Sequence, residues 1–227
     1  MKLAEFIAKK MDIKPGKKLL DIGFNRGLQT CFLAKEYDLF VVGIDPWDDS
    51  KDQRPHVDHL IENARRFEIE NKVIGIKVGV PDTLLPSNCF DYVYSTTALE
   101  MIRGMNGMEM YLKCLKEVYR VLKPGGIFGL GEPMHFDVEI PEEIESFVTK
   151  GEMSWDKCFA TIQETKDAVE SAGFKVVEAD YAEDAKTWWE EYAKYDPSCN
   201  SGDDEEKKTI EADRGRWLSF GYVIAKK

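Results

Sequence analysis

The sequence predicts an α/β fold built on a mostly parallel sheet covered on both faces, and three observations predict it. Short apolar runs rich in β-branched residues alternate with stretches of helical apolar spacing along most of the chain. The apolar runs end sharply, at acids or glycines. With 43% hydrophobic and 32% charged residues, the 227-residue chain can bury the core of one large α/β domain without covalent staples.

Taken in order, Leu3, Phe6, Ile7 and Met11 repeat at helical spacing until "KPG" at Lys14 to Gly16 breaks the pattern, so residues 1–14 are expected to form a leading helix. "KKLLDIG" and "FVVGIDP" read as strands, and "CFLAKEYD" between them as the helix of a βαβ unit. Pro55 is placed to start the next helix, marked by Val57, Leu60, Ile61, Ala64 and Phe67. "KVIGIKVGV" and "FDYVYS" follow as strands. Leu112, Leu115, Val118 and Leu122 mark another helix, with "KPGG" as its stop and "IFGLGEP" as a fifth strand. Thr161 and Glu164 make a capping box for a helix through Ala172, which Gly173 closes before the strand "FKVVEAD". "WLSFGYVIAK" is the last strand.

Two stretches interrupt this rhythm, 134–160 and 183–216, and both are candidate cap elements over a binding crevice. "SCNSGDDEEKK" within the second reads as an exposed polar loop rather than a linker, so 1–227 is expected to be a single domain. The formal charge of −11 disfavours nucleic acid and anionic membrane as partners and favours small molecules. No run of about 20 apolar residues is present and no signal-like apolar core, which predicts a cytoplasmic protein without a transmembrane segment. Five scattered cysteines with no C-x-x-C pair argue against disulfides and zinc. His56 and His59 read as a solvated helix face rather than a metal site, so no metal is expected.

The stretch "LLDIGFNRGLQTCFLA" places Asp21, Gly23 and Gly27 at the end of the first strand, where open α/β sheets bind ligands. Glycine lets the backbone approach a ligand and turn into the next helix. Asn25 stands between the glycines, and asparagine is among the few side chains that tolerate left-handed backbone angles. A dinucleotide fingerprint needs further glycines where Asn25 and Leu28 stand, and Asp21 would repel a pyrophosphate. An acid there suits a ligand with a positive amino group.

These residues resemble the first motif of the class I S-adenosylmethionine-dependent methyltransferases, in the small-molecule group. The resemblance continues through "VVGIDP", "FDYVYSTTALEMI" and "EVYRVLKPGGIFGLGEP", and covers Pro15 to Gly131 well. It implies a Rossmann-like, doubly wound seven-stranded sheet whose last strand is antiparallel, with S-adenosylmethionine as cofactor. By the same resemblance Asp21, Gly23, Phe24, Asn25 and Gly27 hold the methionine end. Asp45 accepts the ribose hydroxyls, and Pro46 and Trp47 lie near the adenine. Val80 stands where many relatives carry an adenine-binding acid, with Asp82 as a substitute, and Ser95 and Thr96 face the same crevice.

For chemistry, "GEPMHFD" offers His135 as a general base, with an unperturbed pKa of about 6.5, and Glu132 as an alternative that could bind an amine. Trp188, Trp189 and Tyr192 form one aromatic helix face, which is either core or a lid around a cationic or aromatic substrate. The expected function is methyl transfer to a small-molecule acceptor. The competing reading is a non-catalytic cofactor-binding sensor or scaffold, motivated by Asn25 and Val80.

Overall fold

The structure, a computed structural model, describes residues 1–196, 199 and 204–227. Strand β1 (Lys18–Ile22) pairs in parallel with β2 (Phe40–Ile44) on one side and β4 (Phe90–Thr96) on the other. Strand β3 (Val73–Ile76) extends the sheet beyond β2. On the other side β5 (Leu122–His135) lies parallel to β4 and antiparallel to β7 (Leu218–Lys226), which in turn pairs antiparallel with β6 (Lys175–Tyr181). The order is β3-β2-β1-β4-β5-β7-β6, so only β7 runs against the rest and chain order reverses between β1 and β4. The expected seven-stranded architecture is borne out. A ligand crevice belongs at the carboxyl ends of β1 and β4.

Helices cover both faces. On one, α1 (Lys2–Lys10), α2 (Leu28–Glu36) and α3 (His56–Arg66) pack Ile7, Leu33 and Leu60 against Leu19 and Val41. On the other, α4 (Leu99–Val121) and α7 (Ile162–Ser171) pack Leu115, Val118 and Val169 against Leu20, Val93 and Phe128. Strands covered on both faces need no polar alternation, which is why the central runs are almost uniformly apolar. The capping box forms as expected: Thr161 accepts from the Glu164 N–H and Glu164 reaches back to the Thr161 N–H.

A third core lies beyond the sheet's carboxyl edge. It joins α5 (Glu142–Val148), α6 (Trp155–Cys158), α8 (Ala185–Tyr195) and α9 (Glu205–Asp213) through Ile144, Phe159, Trp189, Ile210 and Trp217. The end of the polar run expected to be a loop therefore forms the start of helix α9, which is anchored further on by the buried Thr209 and Ile210; residues 198, 200, 201, 202 and 203 of that expectation lie outside the described residues.

Two boundaries differ from expectation. Helix α4 begins at Leu99 and is broken at Gly107 (φ 78°, ψ 175°), with Met101, Met105 and Met108 exposed, so its first half shows no clean apolar stripe. "KPGG" does not simply stop this helix. It lies inside β5, where Gly125 at φ 78° donates to the Lys227 carbonyl and the pairing with β4 shifts register between Phe90 and Tyr92. Among the described residues no helix is long and apolar enough to cross a membrane.

The turn from α9 into β7 depends on one side chain. Buried Asp213 accepts from the N–H groups of Gly215 (2.8 Å), Trp217 (2.9 Å) and Leu218 (3.1 Å). Asp213→Ala leaves three donors without their acceptor and is expected to cost about 2–4 kcal/mol, measured as a lower urea midpoint.

Candidate functional site

The loop after β1 is shaped by close approaches. Gly23 (φ 78°) donates to the Ile44 carbonyl at 2.9 Å, and a Cβ on it would stand 2.4 Å from the Ala98 Cβ. Gly27 (φ 78°) caps α2, and a Cβ there would meet the Leu60 backbone at 2.9 Å. Asn25 takes φ 51°, the left-handed geometry its side chain tolerates. Phe24 turns its ring into the core, so close to Gly43 that a Cβ there would stand 2.7 Å away; only its backbone is left to the loop's surface.

Two acids organise the crevice. Asp45, 3% exposed at the end of β2, accepts from the N–H of Asn25 (2.8 Å, Oδ2) and of Trp47 (2.9 Å, Oδ1), and His56 Nδ1 lies 3.1 Å from Oδ1. Each carboxylate oxygen has two acceptor positions, so the group retains capacity beyond these contacts. Asp21 is buried behind the loop, where Thr30 Oγ1 donates to it at 2.6 Å. Burial pushes its carboxyl up to about 7, against that hydrogen bond and helped by the nearby Asp45 charge. Trp47 is 60% exposed beside Pro46, which packs on Gly79. Val80 is half-buried against the core, and Asp82 is exposed. Ser95 is fully buried, its hydroxyl donating to the Ile22 carbonyl at 3.3 Å.

A cavity of about 1040 Å³ opens from this loop. Asn25, Gln29, Thr96 and Thr97 form its inner end, and Thr96 Oγ1 is held by Gln29 Oε1 at 2.8 Å. Trp155, Phe159, Trp188, Trp189, Tyr192 and Phe220 wall it with rings. Trp189 serves the third core as well: it is buried, stacks on Phe220 at 4.7 Å and donates Nε1–H to the Ser219 carbonyl. Leu3 and Lys2 of α1 complete the rim, with Lys2 bridged to Glu191 of α8.

Beside the inner end lies a buried acid pair. Glu100, on the cavity wall at the start of α4, is 3% exposed, and Glu132 of β5 is fully buried next to it. Tyr111 donates to Glu132 at 3.3 Å, while Arg103 directs Nε and Nη2 at the Cys158 carbonyl. Burial raises both carboxyls above the ordinary range, for Glu100 strongly, with the Glu132 charge as the next cause; Arg103 opposes the rise. The two side chains bond to each other, and Oε2 of Glu100 and Oε1 of Glu132 take no hydrogen bond from any other residue. Gly104 makes this possible, because a Cβ there would stand 2.1 Å from Cys158 Sγ and push α6 off α4.

His135 is placed elsewhere. Its ring stacks on Trp217 (4.8 Å, 7°), its Nδ1 lies 2.8 Å from the Phe136 carbonyl, and it does not line the cavity. The stacking on Trp217, in the turn just before β7, holds the imidazole off the cavity wall, which corrects the general-base expectation. His56 and His59 are likewise not on a solvated face. The packing of α3 onto the glycine loop turns His56 toward Asp45 and buries His59 beside Asp52 (3.2 Å) and Asp49 (3.9 Å). Asp49, Asp52 and His59 could present three ligand atoms together, but Asp49 is already bridged by Arg26, which holds its carboxyl well below the usual range. Glu100, Arg103, Gln29 and Thr97 were not singled out from the sequence. The available signal was Glu100 and Arg103, three apart in the otherwise apolar "LEMIRG".

Residues 20–130 match a family model described as a methyltransferase domain. The chain is 29% identical over 188 residues to the cycloartenol-C-24-methyltransferase of Arabidopsis thaliana, covering 81% of this chain and 52% of that one. It is similar in fold to a geranyl diphosphate methyltransferase solved with its cofactor (TM-score 0.76, 15% identity, 98% of this chain and 83% of that one). It is equally similar in kind to the [4+2]-cyclase SpnF (TM-score 0.73, 17% identity, 100% and 80%). The chain spans 30% to 53% of the length of the sterol-type curated relatives it matches.

Two tests follow from this geometry. Because the folded Asp21 titrates near 7 rather than 3.8, the native state holds a proton that the unfolded chain has lost between those values, so its contribution to stability falls as pH rises through that window. Asp21→Asn removes this dependence. Relative to wild type it should gain on the order of 1 kcal/mol or more between about pH 4 and about pH 8 in urea titrations; parallel profiles would show that Asp21 ionises normally. At Asn25, replacement by Gly should keep the thermal midpoint, whereas Asn25→Val should cost about 1–2 kcal/mol at positive φ.

Proposed function

We propose that the chain is a class I S-adenosylmethionine-dependent methyltransferase, a reading supported by the match over residues 20–130 and by the similarity to sterol methyltransferases, and that it methylates a small-molecule acceptor held in the ring-walled cavity. The observation that carries the reading is that this cavity ends on the glycine loop itself, at Asn25 and Gln29. An acceptor placed there meets the crevice where the fold presents a cofactor.

The residues fit the cofactor. Gly23 and Gly27 let the loop turn tightly against Ala98 and Leu60 at positive φ, and Asp45 keeps acceptor capacity for two ribose hydroxyls. The buried Asp21 suits the amino group of the methionine end through the loop, and exposed Trp47, with Pro46, offers a face to the adenine. When bound, the cofactor supplies an activated methyl on a sulfonium. The protein's own work is then alignment, exclusion of water and handling of a proton.

The cap drawn from 134–160 and 183–216 does the excluding, and α1 closes it through the Lys2–Glu191 bridge. Trp188 faces both Phe6 of α1 (5.6 Å) and Phe220 (6.1 Å), so the acceptor side and the rim are coupled through one ring. The sensor reading loses part of its motive, because Asn25 adopts the backbone geometry a glycine would supply.

Asp45→Ala should weaken S-adenosylmethionine binding by roughly 1.5–3 kcal/mol in calorimetry, with Asp48→Ala near wild type because Asp48 is an exposed partner of Lys77. Unchanged affinity in folded Asp45→Ala would overturn the cofactor assignment. Tight cofactor binding with no methyl transfer across a panel of amines, phenols, thiols and sterols would favour the sensor.

A further inference from the structure

We infer that the acceptor is an amine: the cavity takes a nitrogen carried on an apolar body, seated against the Glu100–Glu132 carboxyl pair and the surrounding rings. This rests on the reading of the cavity as the acceptor site. Its first support is an unsatisfied group. Glu100 is 3% exposed and stands on the cavity wall; it bonds to Glu132 side chain to side chain, and Oε2 of Glu100 and Oε1 of Glu132 take no donor from any other residue. A buried acceptor without a donor is costly, and an ammonium brings up to three donors to one point.

The second support is the charge of the wall. Among the described residues lining the cavity, Lys2 is the one lysine or arginine, and it is bridged to Glu191; the other basic group is the amino terminus of Met1, whose pKa burial lowers, so that it holds its charge less firmly. The other charged side chains there are acids, Glu100, Glu191, Asp196 and Glu206. A phosphate or carboxylate on the acceptor would find no uncommitted lysine or arginine on that wall. Arg103 lies behind Glu100, off the cavity, with two of its nitrogens on the Cys158 carbonyl. The third support is the ring set: Trp155, Trp188, Trp189 and Tyr192 present faces and edges suited to a cation desolvated from water.

The same pair handles the proton. An alkylammonium has no lone pair, so it must lose one N–H proton before attack. That proton passes to the carboxylate of the pair, whose members are both raised by burial and so accept it. The freed lone pair forms the new N–C bond as the S–C bond breaks, giving a methylated ammonium and the thioether. The pair returns its proton to water after the product leaves. Tyr111 and Arg103 act as positioning residues for Glu132.

The test uses the protein saturated with S-adenosylhomocysteine and three matched probes: tryptamine, tryptophol and indole-3-propionate. Calorimetry should give tryptamine an affinity at least about tenfold above both others, and Glu100→Gln should bring it to the level of the alcohol. Equal or tighter binding of the alcohol or the acid, no amine binding at millimolar concentration, or an undiminished amine preference in Glu100→Gln would each overturn the inference. If Glu100→Gln fails to fold, the wild-type ranking of the three probes still decides. Failure of S-adenosylhomocysteine to bind wild type would instead count against the methyl-transfer reading.

Discussion

The crevice depends on one buried carboxylate. Asp45 sits at the end of β2 and accepts the Asn25 N–H from the loop after β1 and the Trp47 N–H from its own. Removing such a charge from water is unfavourable unless donors replace the water, and here the backbone of two loops supplies them. The consequence is mutual. The loops fix the carboxylate, and the carboxylate fixes the left-handed turn at Asn25 that lets Gly27 pack against Leu60 so closely that a Cβ there would stand 2.9 Å from its backbone. Helix α3 is thereby seated against the loop, which in turn directs His56 inward.

The parts of this architecture that were legible in the sequence are those decided by local chemistry. Strands β1 and β4 announce themselves because both faces are covered and their middles, Leu19–Leu20 and Tyr92–Tyr94, are unbroken apolar or aromatic runs. Thr161 and Glu164 form their cap because the spacing alone satisfies both orphan donors. Asn25 could be read because few other residues tolerate its angles. What escaped were features decided by distant packing. Glu100 and Arg103 look like any solvated helix pair until α6 closes over them at Gly104. His135 looks like a base because of its intrinsic pKa, yet the ring of Trp217, about eighty residues on, determines where it sits. "KPGG" has the composition of a helix stop, but its glycines serve a bulge whose partner, Lys227, is about a hundred residues away.

The aromatic helix posed a choice between core and lid that the structure dissolves. Trp189 is part of a packed cluster and also a wall of the cavity; Trp188 touches α1 on one side and Phe220 on the other. A ring has two faces and an edge, so one residue can be held by some and offer the others. A cap anchored this way is pre-organised, because the residues that would contact an acceptor are already immobilised by neighbours outside it. The bridge from Lys2 to Glu191 is exposed and contributes little to stability, but it ties the first helix to the same cap.

The carboxyl ends of β1 and β5 and the start of α4 together hold three acids, Asp21, Glu132 and Glu100, all raised by burial. Each would be more comfortable in water or replaced by an apolar neighbour, so none is there for stability. Their grouping is explained if the crevice receives positive charge on both sides of the reacting centre: the amino group and sulfonium of a cofactor on one, a nitrogen of the acceptor on the other. A negative potential fully developed in the empty protein would be expensive, and burial, by raising these carboxyls, reduces that expense. The unsatisfied oxygens of Glu100 and Glu132 are then a cost borne by the free protein and relieved by the ligand, which makes the ligand's charge a condition of tight binding.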